Sequence, residues 1–517
     1  MNVSIVIMVV YLVAVTAVGS ALARRSKGAA QWAVAGGGMG AVMVAFGIAG
    51  TRIGGAAIYG VAGDVINEGM WNAWWYGINT FLALALVGVF FAVPYRRLKL
   101  QTVSEIFRIR FGSQRSQALS SLCVQTEYMI VNIIEAYVIG VMIVGLLSVD
   151  MIVGVALAAV ILITYTVLGG LWGSAFTNVI HCIVILVGLF LVAAMGVRQA
   201  GGWDVIVEQV NAHVTESGKD RSKWWAFAGG GWLAVIGMFF SATIHTPAAS
   251  VYVNFSTAAR NEKTLPLAFC LAGLMGAVMP ILAGFVGVIT LARYGYTKFG
   301  ASYESVTKVA QDINPVVGGI ALAAVLAAVV SSGGPILLSS ATMFVRDWLP
   351  FSRNYDSAKK LFAYRVVTIV YGIIAAALAW YIKEYTKVSV LDLLLFGFAM
   401  VVPPAIVVGY LIYWRRTTES GAFWGMLSGY AAGLAWFGLI KYAVAVEFAA
   451  PEGSAPWRRA FHYCFVNTGA GIDPSYATTV VPLLVVPLVS LLTARKDDRA
   501  GEFYDILAGR KTAADAA

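Results

Sequence analysis

Stretches of roughly 20 apolar residues recur from one end of this chain to the other, each long enough to cross about 30 Å of hydrocarbon. A chain of 517 residues that is 60% hydrophobic and only 12% charged, with mean hydropathy +0.79, lies far from the soluble norm of about 25% charged. The first run lacks a basic leader and a small-residue exit, so it reads as a span rather than a signal peptide. The expected fold class is an all-α integral membrane protein with about thirteen transmembrane helices. They fall near 3–22, 37–62, 71–95, 118–147, 150–169, 173–197, 228–255, 265–294, 315–346, 359–382, 388–414, 421–443 and 474–494.

Basic residues choose the orientation, because short cytoplasmic loops carry the excess of Lys and Arg. Arg24, Arg25, Lys27, Arg96, Arg97, Lys99, Arg108, Arg110, Arg115, Arg260, Lys263, Arg353, Lys359, Lys360, Arg415, Arg416, Arg495 and Lys496 fall on one side. Asp64, Glu68 and the loops 198–227, 295–314 and 444–473 fall on the other. The N-terminus is then outside and the C-terminus cytoplasmic, in a plasma (inner) membrane. The net charge of +10 is explained by this asymmetry and not by nucleic acid. Cys123, Cys182, Cys270 and Cys464 show no metal or disulfide spacing and read as small packing residues.

Two spans carry helix breakers at their centres. The second holds Gly47, Gly50, Gly54, Gly55 and Gly60 around Thr51 and Arg52; the seventh holds Ser241-Ala242-Thr243-Ile244-His245-Thr246-Pro247. Freed carbonyls at membrane depth are tolerated where they line a site. The breaks sit five spans apart, as expected for inverted repeats of spans 2–6 and 7–11. The domains would be 1–36 (first span and loop), 37–197 (first repeat), 228–414 (second repeat) and 415–517 (two accessory spans and tail). In residues 321–347, Ser331 and Ser332 precede a Gly-Gly-Pro interruption. Neighbouring buried hydroxyls beside loosened backbone make oxygen ligands for a small hard cation.

Several stretches carry a resemblance to a known family. They are AVVSS at 328–332 followed by SSATMFVRD, GTRIGG at 50–55, TVSEIFRIRFG at 102–112, GGLWGSAFTNVIH at 169–181 and VNFSTAARNEK at 253–263. In order and spacing they resemble the sodium/solute symporters over about residues 1–495. The resemblance implies the five-plus-five inverted-repeat fold named after the bacterial leucine transporter. It also implies Na⁺-coupled symport of a small organic solute by alternating access. Carried over, one Na⁺ site would use the carbonyls of Gly50, Ile53 and Ala328 and the hydroxyls of Ser331 and Ser332. A second family cation site needs hydroxyls where this chain has Gly333 and Gly334, so one Na⁺ at most is expected.

Three positions depart from the family pattern. Arg52 sits between two proposed carbonyl ligands, Asn178 stands where the family has aspartate near the ion path, and Asn254-Phe255 replace Gln-Arg. Arg52 could stand in for the ion, giving an uncoupled, exchange or proton-linked transporter. It could pair with Glu127 or Glu135, eight residues apart on one face of span 4. It could also bind a carboxylate bidentately, which favours an organic anion over a sugar. His245 and Thr243 in the seventh break, with Trp75 at the outer end of span 3, complete the candidate solute contacts. Pro403-Pro404 in span 11 suggest a kink.

Other classes fare worse. Residues 495–517 are too few for the signalling module of a membrane sensor. The histidines (His181, His213, His245, His462) form no catalytic or metal motif, which argues against an enzyme. A channel needs no pair of broken helices.

Overall fold

The computed structural model describes residues 3–22, 28–296, 305–385, 390–451, 453–466, 472–493 and 499–512. Arg24, Arg25, Lys27, Arg495 and Lys496 lie outside the described residues, as do parts of the 295–314 and 444–473 loops. Among the described residues ten helices are long and apolar enough to cross a membrane. Two bent pairs, Ala41–Arg52 with Ala56–Glu68 and Gly231–Ala248 with Ser250–Ala258, bring the number to twelve. The expected count of about thirteen differs at one run, Met151–Ala200, which is 50 residues long and contains Gly170 at φ 56°, ψ −167°. An unbroken helix of that length would extend roughly 75 Å, over twice the hydrocarbon thickness. The two spans expected at 150–169 and 173–197 adjoin at this glycine.

Burial separates a core from a rim. The most apolar window of Pro315–Trp348 is 89% buried, against 17% for Val3–Leu22 and 22% for Glu419–Ala445. The sequence of the central helix explains its position, since Ala, Gly and Ser let backbones approach closely where hydrophobicity gives no preference for protein over lipid. A methyl on Gly188 would lie 2.7 Å from Ala324 Cβ, so these two helices touch almost backbone to backbone.

The expected Gly-Gly-Pro interruption does not occur: Pro315–Met343 is continuous through Gly333, Gly334 and Pro335. These glycines serve packing. Side chains there would meet Leu162 Cδ2 at 2.9 Å and Tyr165 Cε1 at 2.7 Å. Likewise Val390–Tyr413 runs through Pro403 and Pro404 as one helix.

At the arginine-rich end the two broken spans are joined through their main chains. Met39 N donates to Ala258 O at 2.9 Å and Arg260 N donates to Met39 O at 2.7 Å. The 101–105 segment braces the same end. Asn254 Nδ2 donates to Gln101 O, Thr257 Oγ1 to Leu100 O, and Arg346 Nε to Glu105 Oε1, at 2.9, 2.7 and 2.7 Å. Asn254 Oδ1 also accepts from Ser339 Oγ at 3.0 Å, while Phe255 packs against Gly47 so closely that a methyl there would lie 2.5 Å from Cε1. The two departures at 254–255 thus clamp the second, seventh and ninth spans together.

Candidate functional site

The second span loses its helix where the glycines are. Ala41–Arg52 ends at Ile53 (φ −105°, ψ 93°), a wide π-turn follows at Ala56–Gly60, and the axis bends by 59°. The seventh span breaks more gradually. A π-turn at Phe240–Ile244 passes into a 3₁₀ turn at Thr246–Ala248, and the extended residue is Ala249 (φ −69°, ψ 105°), with a bend of 47°. Its extended residue falls two positions beyond the Ser241–Pro247 run, because Pro247 is accommodated inside the 3₁₀ turn. Wide and tight turns both free backbone groups that an α-helix would consume.

Oxygens gather on the inner side of the second break. Ser331 Oγ lies 2.9 Å from Gly50 O and 2.8 Å from Ala328 O; Ser332 Oγ lies 3.0 Å from Ala328 O. Ser331 is fully buried and Ser332 almost so. Asn178 Nδ2 donates to Gly47 O at 2.9 Å and Ser331 O at 3.2 Å, tying the sixth span to both walls. Four of the five proposed ligands therefore converge, and Ile53 turns extended at the same break. An all-oxygen set of carbonyls and hydroxyls suits a hard monovalent cation.

Glu135 occupies the remaining side of this group. Its Oε1 accepts from Ser332 Oγ at 2.6 Å and its Oε2 accepts from Gly55 N at 2.9 Å. It is one of the two candidate partners of Arg52, the other being Glu127, but among the described residues no ion pair joins Glu135 to Arg52.

Arg52 turns the other way. Its Nη2 donates to Ala242 O at 2.8 Å, and its guanidinium lies 5.3 Å from the centroid of Phe398. The chain leaves Arg52 at the end of a helix, so its long side chain reaches across to the freed carbonyl of the seventh break. A narrow cavity of about 30 Å³ runs along this side, lined by Arg52, Tyr76, Glu127, Tyr252 and Phe398 as well as Glu135 and Ser332. His245 stacks on Phe398 at 4.1 Å and lies 3.9 Å from Glu127, its Nδ1 hydrogen-bonded to Ser241 O. Arg52 and His245 therefore flank one phenylalanine, with His245 behind the cavity wall.

Two candidate contacts lie elsewhere. Trp75 Nε1 donates to Phe227 O at 2.7 Å within a cluster with Phe227 and Trp232, and Thr243 Oγ1 donates to Asn79 Oδ1 at 3.1 Å. Neither lines the cavity. The aromatic residues that do are Tyr76, Tyr128, Tyr252 and Phe398. Of these, Tyr76 is the sequence neighbour of the expected contact Trp75; Tyr252, in the half-helix after the seventh break, carried no local signal.

Paired broken helices around an oxygen cluster, in a bundle of apolar helices, define a secondary transporter of the leucine-transporter fold. Residues 32–429 match the sodium:solute symporter family, and the chain belongs to it. It is 24% identical over 433 residues to the uncharacterized symporter YwcA of Bacillus subtilis, covering 80% of this chain and 81% of that one. It is 26% identical over 416 residues to the human high affinity choline transporter 1 (76% and 68%), and 23% identical over 403 residues to a sodium/proline symporter of Staphylococcus aureus (74% and 76%). In fold it is similar to a substrate-bound, outward-open Na⁺-coupled sialic acid symporter, with TM-score 0.77 and 18% identity over 96% of this chain and 99% of the other. A closed nucleobase-cation-symport-1 transporter, MHP1, gives TM-score 0.55 at 13% identity, over 92% and 98%. The protein is thus a multi-pass membrane protein and a Na⁺-coupled secondary transporter of a small solute, not an enzyme.

Proposed function

We propose that the protein carries a small organic carboxylate together with one Na⁺, the ion held by Gly50, Ile53, Ala328, Ser331 and Ser332. The observation that carries the reading is the position of Ser331 Oγ, within 2.9 Å of carbonyls on both the second and ninth spans. When bound, Na⁺ would tie the second break to the ninth span and replace hydrogen bonds that otherwise close it.

Arg52 favours this over its substitution for the ion, because its guanidinium faces Ala242 and Phe398 and leaves the oxygen cluster free. It also favours an anionic solute. Arg52 Nε, His245 Nε2 and Glu127 Oε2 are buried without hydrogen-bond partners. A carboxylate can take the Arg52 donors bidentately, and Glu127, on the same cavity wall, remains for a polar or cationic part of the same molecule. An amino acid-like zwitterion or betaine fits that pairing of charges.

The repeats would be residues 37–197 and 228–414, flanked by 1–36 and 415–517. The basic end faces the cytoplasm of a plasma membrane, which leaves the N-terminus outside and the C-terminus cytoplasmic. The test is a thermal-shift screen of zwitterions, organic anions and sugars on the purified protein in NaCl and in N-methyl-D-glucamine chloride. The reading expects a carboxylate that stabilises only with Na⁺; stabilisation indifferent to Na⁺ returns Arg52 to the role of the ion.

A further inference from the structure

Among the described residues Glu135 is the one carboxylate that touches the proposed cation shell, and the way it is held is specific. It is 1% exposed, at membrane depth, on the Gln114–Leu147 helix. Both of its oxygens are accounted for by neutral donors, Ser332 Oγ and Gly55 N. Among the described residues it has no cationic partner. A carboxylate buried in hydrocarbon with two neutral hydrogen bonds is left short of a positive charge. The chain makes room for it deliberately. A methyl on Gly54 would overlap Glu135 Oε1 and lie 2.7 Å from Ser332 Oγ, and one on Gly55 would lie 2.9 Å from Oε2. The paired glycines of the second break are the socket into which this side chain fits. Gly333 is shaped by it too, since a methyl there would sit 3.6 Å from Glu135 Cβ and Cγ.

The missing positive charge has an obvious source. Ser332 Oγ is shared between Glu135 Oε1 and Ala328 O, at 2.6 and 3.0 Å. The carboxylate therefore borders the same oxygen cluster as Gly50 and Ser331. Arg52 lines the same cavity, but its guanidinium is turned toward Ala242 O and Phe398.

We propose that Glu135 is a further ligand of the coupling cation, contributing a carboxylate oxygen to the shell of Gly50, Ile53, Ala328, Ser331 and Ser332. This rests on the Na⁺ reading above and changes its character. The ion enters a site carrying a full negative charge, and its affinity is set by that charge and not by neutral oxygens alone. The glycine pair at 54–55 is then a requirement of the ion site as well as of the helix break.

The experiment is Na⁺-dependent thermal shift on the purified full-length protein, with N-methyl-D-glucamine chloride at matched ionic strength as the control. Glu135→Gln should raise the Na⁺ concentration giving the half-maximal shift by about tenfold or more, since ligand charge sets affinity at such sites. Glu135→Asp, which keeps the charge but withdraws it by one methylene, should raise it less, and it serves as the readout should Glu135→Gln not yield folded protein. In a Ser332→Ala background Glu135→Gln should raise it further. Wild-type titration by Glu135→Gln, or no added effect in the Ser332→Ala background, overturns the ligand assignment while leaving the cation site intact. A wild-type protein that shows no Na⁺ shift overturns the Na⁺ reading itself, and this proposal with it.

Discussion

The two broken spans look like counterparts, yet the polar groups they expose are in opposite states. Around the second break almost every donor and acceptor is engaged: Ser331 with Gly50, Ser332 and Gly55 with Glu135, Asn178 with Gly47 and Ser331. Around the seventh, Arg52 Nε, His245 Nε2 and Glu127 Oε2 are buried and unsatisfied. An unpaired buried polar atom costs about 1–3 kcal/mol, so the seventh break holds in reserve what a ligand can recover. The second break holds little in reserve beyond Asn178 Oδ1 and must largely exchange one set of bonds for another. Such an exchange suits a bare ion, which replaces hydrogen bonds one for one. The open set suits a solute bringing its own donors and acceptors.

Arg52→Gln gives the sharpest way to break this contrast. It should weaken solute-driven stabilisation about 100-fold, the scale for removing one member of a buried charge pair. The Na⁺-dependent shift should remain; its loss instead would place Arg52 on the ion side. Next in size is Ser332→Ala, for which uptake at limiting Na⁺ should need about tenfold more Na⁺, the scale of one hydrogen bond to a charged group. Solute affinity at saturating Na⁺ should stay close to wild type, and a change in both together would mean the two sides are not separable.

A third prediction concerns the brace beneath both breaks. Burial alone would raise the Glu105 carboxyl, but Arg346, the Gln101 amide and Arg108 together hold it below the ordinary carboxylate value. A depressed folded value means stability that is present above the unfolded value and lost as pH falls through the folded one. Glu105→Gln keeps an acceptor oxygen, so it should cost about 1 kcal/mol at neutral pH. That deficit should vanish below about pH 4, which melting in detergent across pH would read. The smallest effect belongs to the Arg97–Glu262 pair, 3.0 Å apart and about a third exposed. Glu262→Gln should change stability by about 0.5 kcal/mol, less in high salt. A large effect there would show that the basic end, and not the breaks, limits stability.

Much of this was legible in the sequence, for identifiable reasons. Spans are readable because membrane thickness fixes a length and hydrocarbon fixes a composition. The second break was readable because its glycines cluster at midspan. The same residue type misled at Gly333-Gly334, since a glycine that loosens a helix and one that admits a neighbour are written alike. Only Leu162 and Tyr165, arriving from another span, decide between them. Glu127 and Glu135 were rightly placed on one face, but a shared face does not name partners. Glu135 meets Ser332, 197 residues away, and no local pattern encodes that distance. Trp75 was misplaced because tryptophans at a span's end look alike whether they point inward or toward a loop.

The main-chain stitch between Met39 and residues 258–260 has a consequence of a different kind. Its two hydrogen bonds use only peptide groups, so no side chain is needed to form them and nearly any residue but proline can preserve them. Descendants of this chain could diverge at every one of these positions and still keep the two spans fastened at one end. Substitution there would pass unnoticed until proline appeared, as Met39→Pro or Arg260→Pro. Each would remove one donor, and the two half-helices would lose a tether that leaves no mark on the amino-acid alphabet.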